Sequence, residues 1–367
     1  MHRLVDADGR IDHVRIAFLL FGVTANQDAC YRKLTELGDE LLLVFPESMQ
    51  DMHFDGGADF GDYAQTLVWK QMPDAATLTR LVDSFAPDAI VMSSWVGDGY
   101  RKAMAAQRGR ALRILFTSNV WRATPKQWLG RAAHRFYLDP LYDCAYVAGD
   151  RSEWFARRLG FSAADIIRGS QSANVVTFDR GSRHPSELAS RRRFLFSGRL
   201  VEHKAVPVLA EAYDRYRRTT TGEPWDLSVA GTGPLASVLE GIAGVKLHGF
   251  LQPHELSDAM HESSCFILPS ILDYYGLVVH ESATAGLPLL CSDGVGAVPS
   301  LLQDGFNGWT VAAGNVASLA SAMERMANLP VERLAAMSDG SRALASRLNP
   351  TIWARNLHEE IERRLPV

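Results

Sequence analysis

The chain has 367 residues, of which 47% are hydrophobic, and its 38 basic and 42 acidic side chains give a net charge of -4. That length exceeds one typical core and suits two domains, each apolar enough to bury its own. The slight acidic excess excludes a general nucleic-acid binder and restricts any basic surface to a local patch, while four widely spaced cysteines (Cys30, Cys144, Cys265, Cys291) show no metal or redox motif and fit a reduced, cytoplasmic setting.

The apolar run 16–23 follows Asp6, Asp8 and Asp12 and is far shorter than the ~20 residues a membrane span requires, so it is expected to be a first strand. Further short apolar runs at 40–45, 89–93, 111–117 and 142–148 alternate with helical patterns at 77–85, 99–107 and 151–159, which predicts a parallel sheet covered on both faces. Loops at the predicted strand ends offer Trp95 and Asp98, then Ser118, Asn119 and Trp121, as contacts for a second substrate. Residues 121–137 carry Arg122, Lys126, Arg131 and Arg135 with no acid, interleaved with Trp128, Phe136 and Tyr137. Two readings stand open for that segment: a basic amphipathic helix lying on an anionic membrane surface, or a helix packed on the sheet through Leu129, Ala133 and Phe136 with a solvated basic face. The polar stretch 179–193 is expected to link the two domains and act as a hinge. Beyond it strands are predicted at 194–196, 227–230, 245–247, 265–268 and 289–291, and a final helix at 350–365 places Trp353, Leu357 and Ile361 at i, i+4 and i+8.

Residues 267–286, ILPSILDYYGLVVHESATAG, hold the densest chemistry. A buried strand runs into a loop bearing Asp273. Gly276 then allows a tight turn into a helix whose first amides, with Leu277 and Val278, face outward unpaired and attract phosphate. Glu281, one to two turns further, would repel phosphate but can accept hydrogen bonds from the vicinal hydroxyls of a ribose. The run SGRLVEHKAV supplies Gly198, Arg199 and Lys204 directly after a strand; Arg can grip two phosphate oxygens and Lys acts as a point charge, although alone the two would read as surface charges beside Glu202. A nucleoside diphosphate bearing a sugar fits these features, with fixed cations stabilising the departing phosphate. VAGTGPL (Gly231, Gly233, Pro234), KLHGFL (Gly249, Phe250, Leu251), AGLPLLCSD (Gly286, Pro288) and LLQDGFNGWTV (Asp304, Gly305, Gly308) complete the series.

In their order and spacing these motifs, over roughly residues 193–311, resemble the retaining glycosyltransferases of family 4, whose signature sets two glutamates around a Phe-Gly pair. The resemblance implies the GT-B fold: two doubly wound Rossmann-like α/β domains facing each other across a cleft, with a C-terminal helix crossing back to the first. The expected domains are 1–180 for the acceptor, 181–349 for the donor, and 350–367 for that helix. It also implies transfer of a sugar from a nucleoside diphosphate sugar to a hydroxyl of a carbohydrate or lipid-linked acceptor, in cell-surface polysaccharide or glycoconjugate assembly, by same-face attack in which the leaving phosphate takes the acceptor proton. Arg199, Lys204, Asp273 and Glu281 would be the catalytic set. Gly22, Gly198, Gly231, Gly276, Leu277 and Val278 would cradle the donor, Phe250 and Leu251 its base, and Tyr274 and Tyr275 its sugar. No cofactor or metal is expected, since the protein's own cations replace it, and His203, His248, His254, His261 and His280 lack metal-ligand spacing.

The chain departs from the family pattern at Asp273, which is one carbon shorter than Glu and reaches roughly 1.5 Å less. It departs again at Ser300 after Pro299 where Glu is usual, at Ala205 where Gly is usual, and in a first-strand turn with only Gly22 and no HxH motif. Two rivals follow: a nucleotide-sugar epimerase, and a catalytically lapsed GT-B binding or partner protein. The base, the sugar and the acceptor stay open because one fold and clamp serve many substrates.

Overall fold

The computed structural model describes residues 13–47, 60–138 and 140–365, and the chain divides into two compact units, Met1–Ser172 with Pro350–Val367, and Ala173–Asn349.

The first unit runs β1 (Arg15–Leu19), α1 (Ala25–Glu36), β2 (Glu40–Pro46), β3 (Gln65–Trp69), α2 (Ala75–Phe85), β4 (Ala89–Met92), α3 (Asp98–Ala106), β5 (Leu112–Thr117), α4 (Pro125–Ala132), α5 (His134–Tyr137), β6 (Cys144–Val147), α6 (Asp150–Leu159) and β7 (Ile166–Arg168). Its strands are all parallel, in the order β3-β2-β1-β4-β5-β6-β7. Because helices cover both faces, the inner strands are largely apolar on both sides: Ile16 and Phe18 join the core on one side, Ala17 and Leu19 the core on the other. Thr24 and Gln27 close a capping box that starts α1, which buries Cys30, Tyr31 and Leu34.

The second unit runs α7 (Val175–Phe178), α8 (Pro185–Arg191), β8 (Arg193–Ser197), α9 (Val206–Thr219), β9 (Asp226–Ala230), β10 (Val245–Gly249), α10 (Pro253–His261), β11 (Cys265–Leu268), α11 (Leu277–Thr284), β12 (Leu289–Ser292), α12 (Val298–Leu301), β13 (Gly308–Val311), α13 (Val316–Ala327) and α14 (Val331–Ala345). Its six parallel strands follow the order β10-β9-β8-β11-β12-β13. The last helix, α15 (Pro350–Arg364), belongs to the first unit: Trp353, Leu357 and Ile361 are buried there, with the Trp353 ring 5.9 Å from Tyr31 and the Tyr146 hydroxyl donating to its carbonyl. Among the described residues no helix is long and apolar enough to cross a membrane.

Three departures from the sequence reading have physical causes. The strands β3, β7 and β13 were not anticipated; each lies at a sheet edge, β3 and β7 with exposed positions that break the apolar run and β13 with Gly308 and Thr310 interrupting it. The polar stretch 179–193 is no free linker but part of the second unit. Leu188 on α8 is buried, the Arg183 guanidinium donates to the His261 carbonyl, Arg342 pairs with Asp179 at 2.6 Å, and Arg180 with Asp258 at 2.5 Å. The division therefore falls at Ser172/Ala173, where the Ala173 amide donates to His280 Nδ1 at 3.1 Å. Finally, of the two readings open for 121–137, packing on the sheet through Leu129 and Phe136 is not what the fold adopts: both residues turn outward, 70% and 86% exposed, and α4 has no buried residue.

Candidate functional site

In the second unit the strand order reverses between β8 and β11, so the connections leaving their carboxyl ends diverge to opposite faces of the sheet and open a crevice there. The two chemically richest segments of the sequence occupy that point. SGRLVEHK follows β8 and SILDYYG follows β11.

Backbone packing at the first segment requires glycine. The Gly198 amide donates to the Ala230 carbonyl at 3.0 Å, Leu200 to Thr232 at 2.8 Å and Gly231 to Gly249 at 2.6 Å. A Cβ on Gly231 would lie 1.9 Å from the Gly198 oxygen, and one on Gly233 2.4 Å from the Leu200 oxygen, so VAGTGPL is held directly against the clamp. The chain then makes a 3-10 turn, Glu202–Lys204, and enters α9 through Ala205, whose φ of 56° and ψ of 41° are left-handed. The position at which the family usually has glycine thus keeps a glycine-like backbone with alanine in it, at a cost of roughly 1 kcal/mol or more.

The second segment is tied to the first through the His203 carbonyl, which accepts from the Ile271 amide at 2.9 Å. Lys204 Nζ then donates to Asp273 Oδ2 in a close ion pair whose side chains are only 13% and 15% exposed. Asp273 is fixed from behind: its amide donates to Gly294 at 3.0 Å, and its carbonyl accepts from Gly296 at 2.9 Å. Cβ atoms on these two glycines would fall 2.4 Å from the Ser270 and Ile271 oxygens and 2.0 Å from the Tyr274 oxygen. Gly294 and Gly296 are site-building residues that the sequence reading missed; the signal was the run SDGVGAVP immediately after β12.

Gly276, left-handed at φ 84°, starts α11, and no side chain caps that start; α9 is likewise uncapped. Two helix N-termini thus lie at the same end of neighbouring strands beside Lys204, with the exposed Arg199 guanidinium in no ion pair among the described residues. Positive helix ends and two cations suit this place to a polyanion such as a diphosphate. Glu281 is buried one turn into α11, and Leu277 and Val278 are half-buried at its start. The tyrosines divide: Tyr274 is largely exposed, whereas Tyr275 is buried, its carbonyl accepting from Ala297 at 2.7 Å, so Tyr275 shapes the loop from inside instead of lining a sugar site. Phe250 is exposed just after β10, with Leu251 half-buried beside it.

His280, next to Glu281, is structural. One ring nitrogen accepts from Ala173, the other lies 3.1 Å from the Ala345 carbonyl, and burial pushes its pKa down to about 4, so it stays neutral. Among the described residues no group of three or more His, Cys, Asp or Glu side chains is placed to hold a metal ion.

Gly22 and the predicted acceptor contacts lie in the first unit, where the strand order reverses between β1 and β4. Gly22 follows β1, and the Phe21 amide donates to Ser93 Oγ at the end of β4. Trp95 and Trp121 are brought together on one ring, with Phe155 6.1 Å from the first and 6.4 Å from the second. Ser118 and Asn119 follow β5 on the same rim, and the Asp98 carboxylate is engaged by Lys102 at 2.6 Å.

Comparison with known proteins agrees with this architecture. Residues 191–328, all in the second unit, match the family model described as Glycosyl transferases group 1. A glycogen synthase of Mycobacterium tuberculosis is 30% identical over 233 residues, covering 61% of this chain and 51% of that protein. An alpha-D-kanosaminyltransferase of Streptomyces kanamyceticus is 29% identical over 180 residues, 47% of this chain and 45% of that one. The chain thus spans about half the length of the curated relatives it matches. A glycosyltransferase from Rickettsia africae superposes with a TM-score of 0.75 at 12% identity, covering 96% of this chain and 100% of that one. Anabaena HepE, solved with UDP and glucose, gives a TM-score of 0.70 at 14% identity over 95% and 99%. The fold is GT-B. Within it, residues 191–328 match a glycosyl transferases group 1 domain.

Proposed function

We propose that the protein is a retaining glycosyltransferase of family 4 that moves a sugar from a nucleoside diphosphate donor to an acceptor hydroxyl, in the assembly of a cell-surface polysaccharide or other glycoconjugate on the cytoplasmic side. The observation that carries this reading is the Lys204–Asp273 pair held between two uncapped helix starts where the strand order reverses. In the proposed complex Lys204, Arg199 and the helix starts hold the phosphates, and Glu281 meets the ribose. Asp273 turns from Lys204 toward the sugar hydroxyls as the phosphates replace it. The acceptor oxygen bonds to the anomeric carbon as the bond from that carbon to the phosphate oxygen breaks; the diphosphate leaves with the acceptor's proton, stabilised by the cations. Anabaena HepE, of the same fold, was solved with UDP-glucose, which supports a nucleotide-sugar donor here.

Incubation with UDP-, GDP- and ADP-sugars and a panel of acceptors tests the reading: free nucleotide with a glycosylated product of unchanged anomeric configuration is expected. An altered sugar still on its nucleotide would replace transfer by epimerisation. Binding without turnover would support the second reading, a lapsed binding protein, which is favoured by the direct engagement of Asp273 with Lys204.

A further inference from the structure

We propose that the surface built by α4, α5 and the outer side of α6 docks on an anionic lipid bilayer. The segment presents large apolar side chains to solvent. Phe136 and Leu129 stand almost free, and Trp128 and Trp154 are 47% and 48% exposed. They are held there by local packing. The Trp121 and Trp128 rings meet edge to face at 5.4 Å, Trp121 rests on Phe155 of α6, and Gly130 brings α4 against Leu159, at 3.9 Å from the Cβ it would carry. A capping box between Thr124 and Gln127 starts α4, and the Gln127 amide group also binds the Arg122 amide and the Val120 carbonyl at 2.7 and 2.9 Å. The outward face is therefore a fixed part of the fold.

Cations surround these residues. Arg122, Lys126 and Arg131 are exposed, and the sequence from 121 to 137 has no acid. On α6 the Arg158 guanidinium lies 4.5 Å over Trp154 and 5.8 Å over Trp121. The acids of that helix are already taken, Glu153 by Arg157 and Arg168, and Asp150 by Arg168. Projecting aromatic and aliphatic groups ringed by cations that make no ion pair among the described residues match the boundary between anionic headgroups and acyl chains. A second copy of the chain fits poorly, because a two-fold contact through this face would set the same cations against one another. The inference needs none of the sugar chemistry, and its failure would leave the transfer reading untouched.

Cosedimentation of the full chain with vesicles of phosphatidylcholine, with and without phosphatidylglycerol, decides it. Binding is expected on the anionic vesicles alone and should weaken as salt is raised. Lys126→Gln and Arg131→Gln should each lower partitioning about fivefold. The double variant Leu129→Ser/Phe136→Ser should lower it tenfold or more, with an unchanged thermal unfolding profile because neither side chain is buried. Absence of anionic binding, or binding indifferent to salt and to these variants, would overturn the proposal. So would a stable dimer abolished by the double variant, since the face would then be a self-interface.

Discussion

Breaking the Lys204–Asp273 pair should have a measurable and asymmetric effect. An exposed ion pair contributes about 0 to 1 kcal/mol, whereas removing one partner of a buried pair costs about 3 to 5 kcal/mol because the other charge is stranded. With side chains 13% and 15% exposed, this pair lies nearer the buried limit. Discounted for the remaining solvent, Asp273→Asn should destabilise the second unit by about 2 kcal/mol. Lys204→Met, which keeps most of the apolar stem, should cost about the same. The double variant strands neither charge, so it should be less damaged than the sum of the singles by about 1 to 2 kcal/mol. Hydrogen exchange of peptides spanning residues 193–311 along a urea series reads this without confusing the two units. Calorimetry with nucleoside diphosphates supplies the functional half. Lys204→Met should lose about 10- to 150-fold in affinity, the range of one charged hydrogen bond, while Asp273→Asn should lose little or gain, because the carboxylate competes with phosphate for the ammonium. A coupling below about 0.5 kcal/mol would show a solvated surface contact. Equal loss of diphosphate binding in both single variants would show that the two residues act on the same group of the ligand, refuting the exchange of partners.

Three further perturbations test the scaffold. Gly231→Ala forces a methyl to 1.9 Å from the Gly198 carbonyl, where ordinary contact begins at 3.4 Å, and should cost about 2 to 5 kcal/mol in chemical denaturation; a change within about 0.5 kcal/mol would mean the loop is free to move. Ala205→Gly relieves a left-handed alanine worth about 1 to 2 kcal/mol but loses a buried methyl (about 0.8 kcal/mol) and adds unfolded-chain freedom, so its melting profile should stay near wild type, whereas Ala205→Val should unfold markedly earlier. His280 has its folded pKa depressed from 6.5 to about 4, so the unfolded state takes up the proton first as pH falls; its contribution is complete above pH 6.5 and is lost on the way to 4, amounting to about 3 kcal/mol. His358, raised by its hydrogen bond to Asp39, acts oppositely in the first unit, with stability present below pH 6.5 and lost as pH rises through its higher folded value. Exchange-monitored stability should therefore fall in the second unit on mild acidification, and His280→Asn should flatten that fall; an unchanged slope would remove His280 as its cause.

Sequence by itself determined the local features, because burial between two helical layers writes a largely apolar run wherever a central strand lies. β1, β2, β4, β5, β6, β8, β9, β11 and β12 were legible in that way, as were the edge strand β10 and the residues Trp353, Leu357 and Ile361, whose helical spacing marks one buried face. The clamp and the acid loop were legible because charges and glycines at a strand end have few structural reasons to be there. Tertiary structure decided everything that depends on which strands are neighbours. Lys204 and Asp273 are 69 residues apart and meet only because β8 and β11 pair at the reversal of the sheet; no periodicity encodes that. The edge strands β3, β7 and β13 stayed hidden because exposed or polar positions interrupt their short apolar runs, and the stretch 179–193 read as a linker because its contacts are polar, through Arg183, Arg180 and Asp179. The outward turn of Leu129 and Phe136 was equally beyond the sequence, since an apolar residue on a helix carries no mark of whether its partner is a protein core or something the chain does not contain.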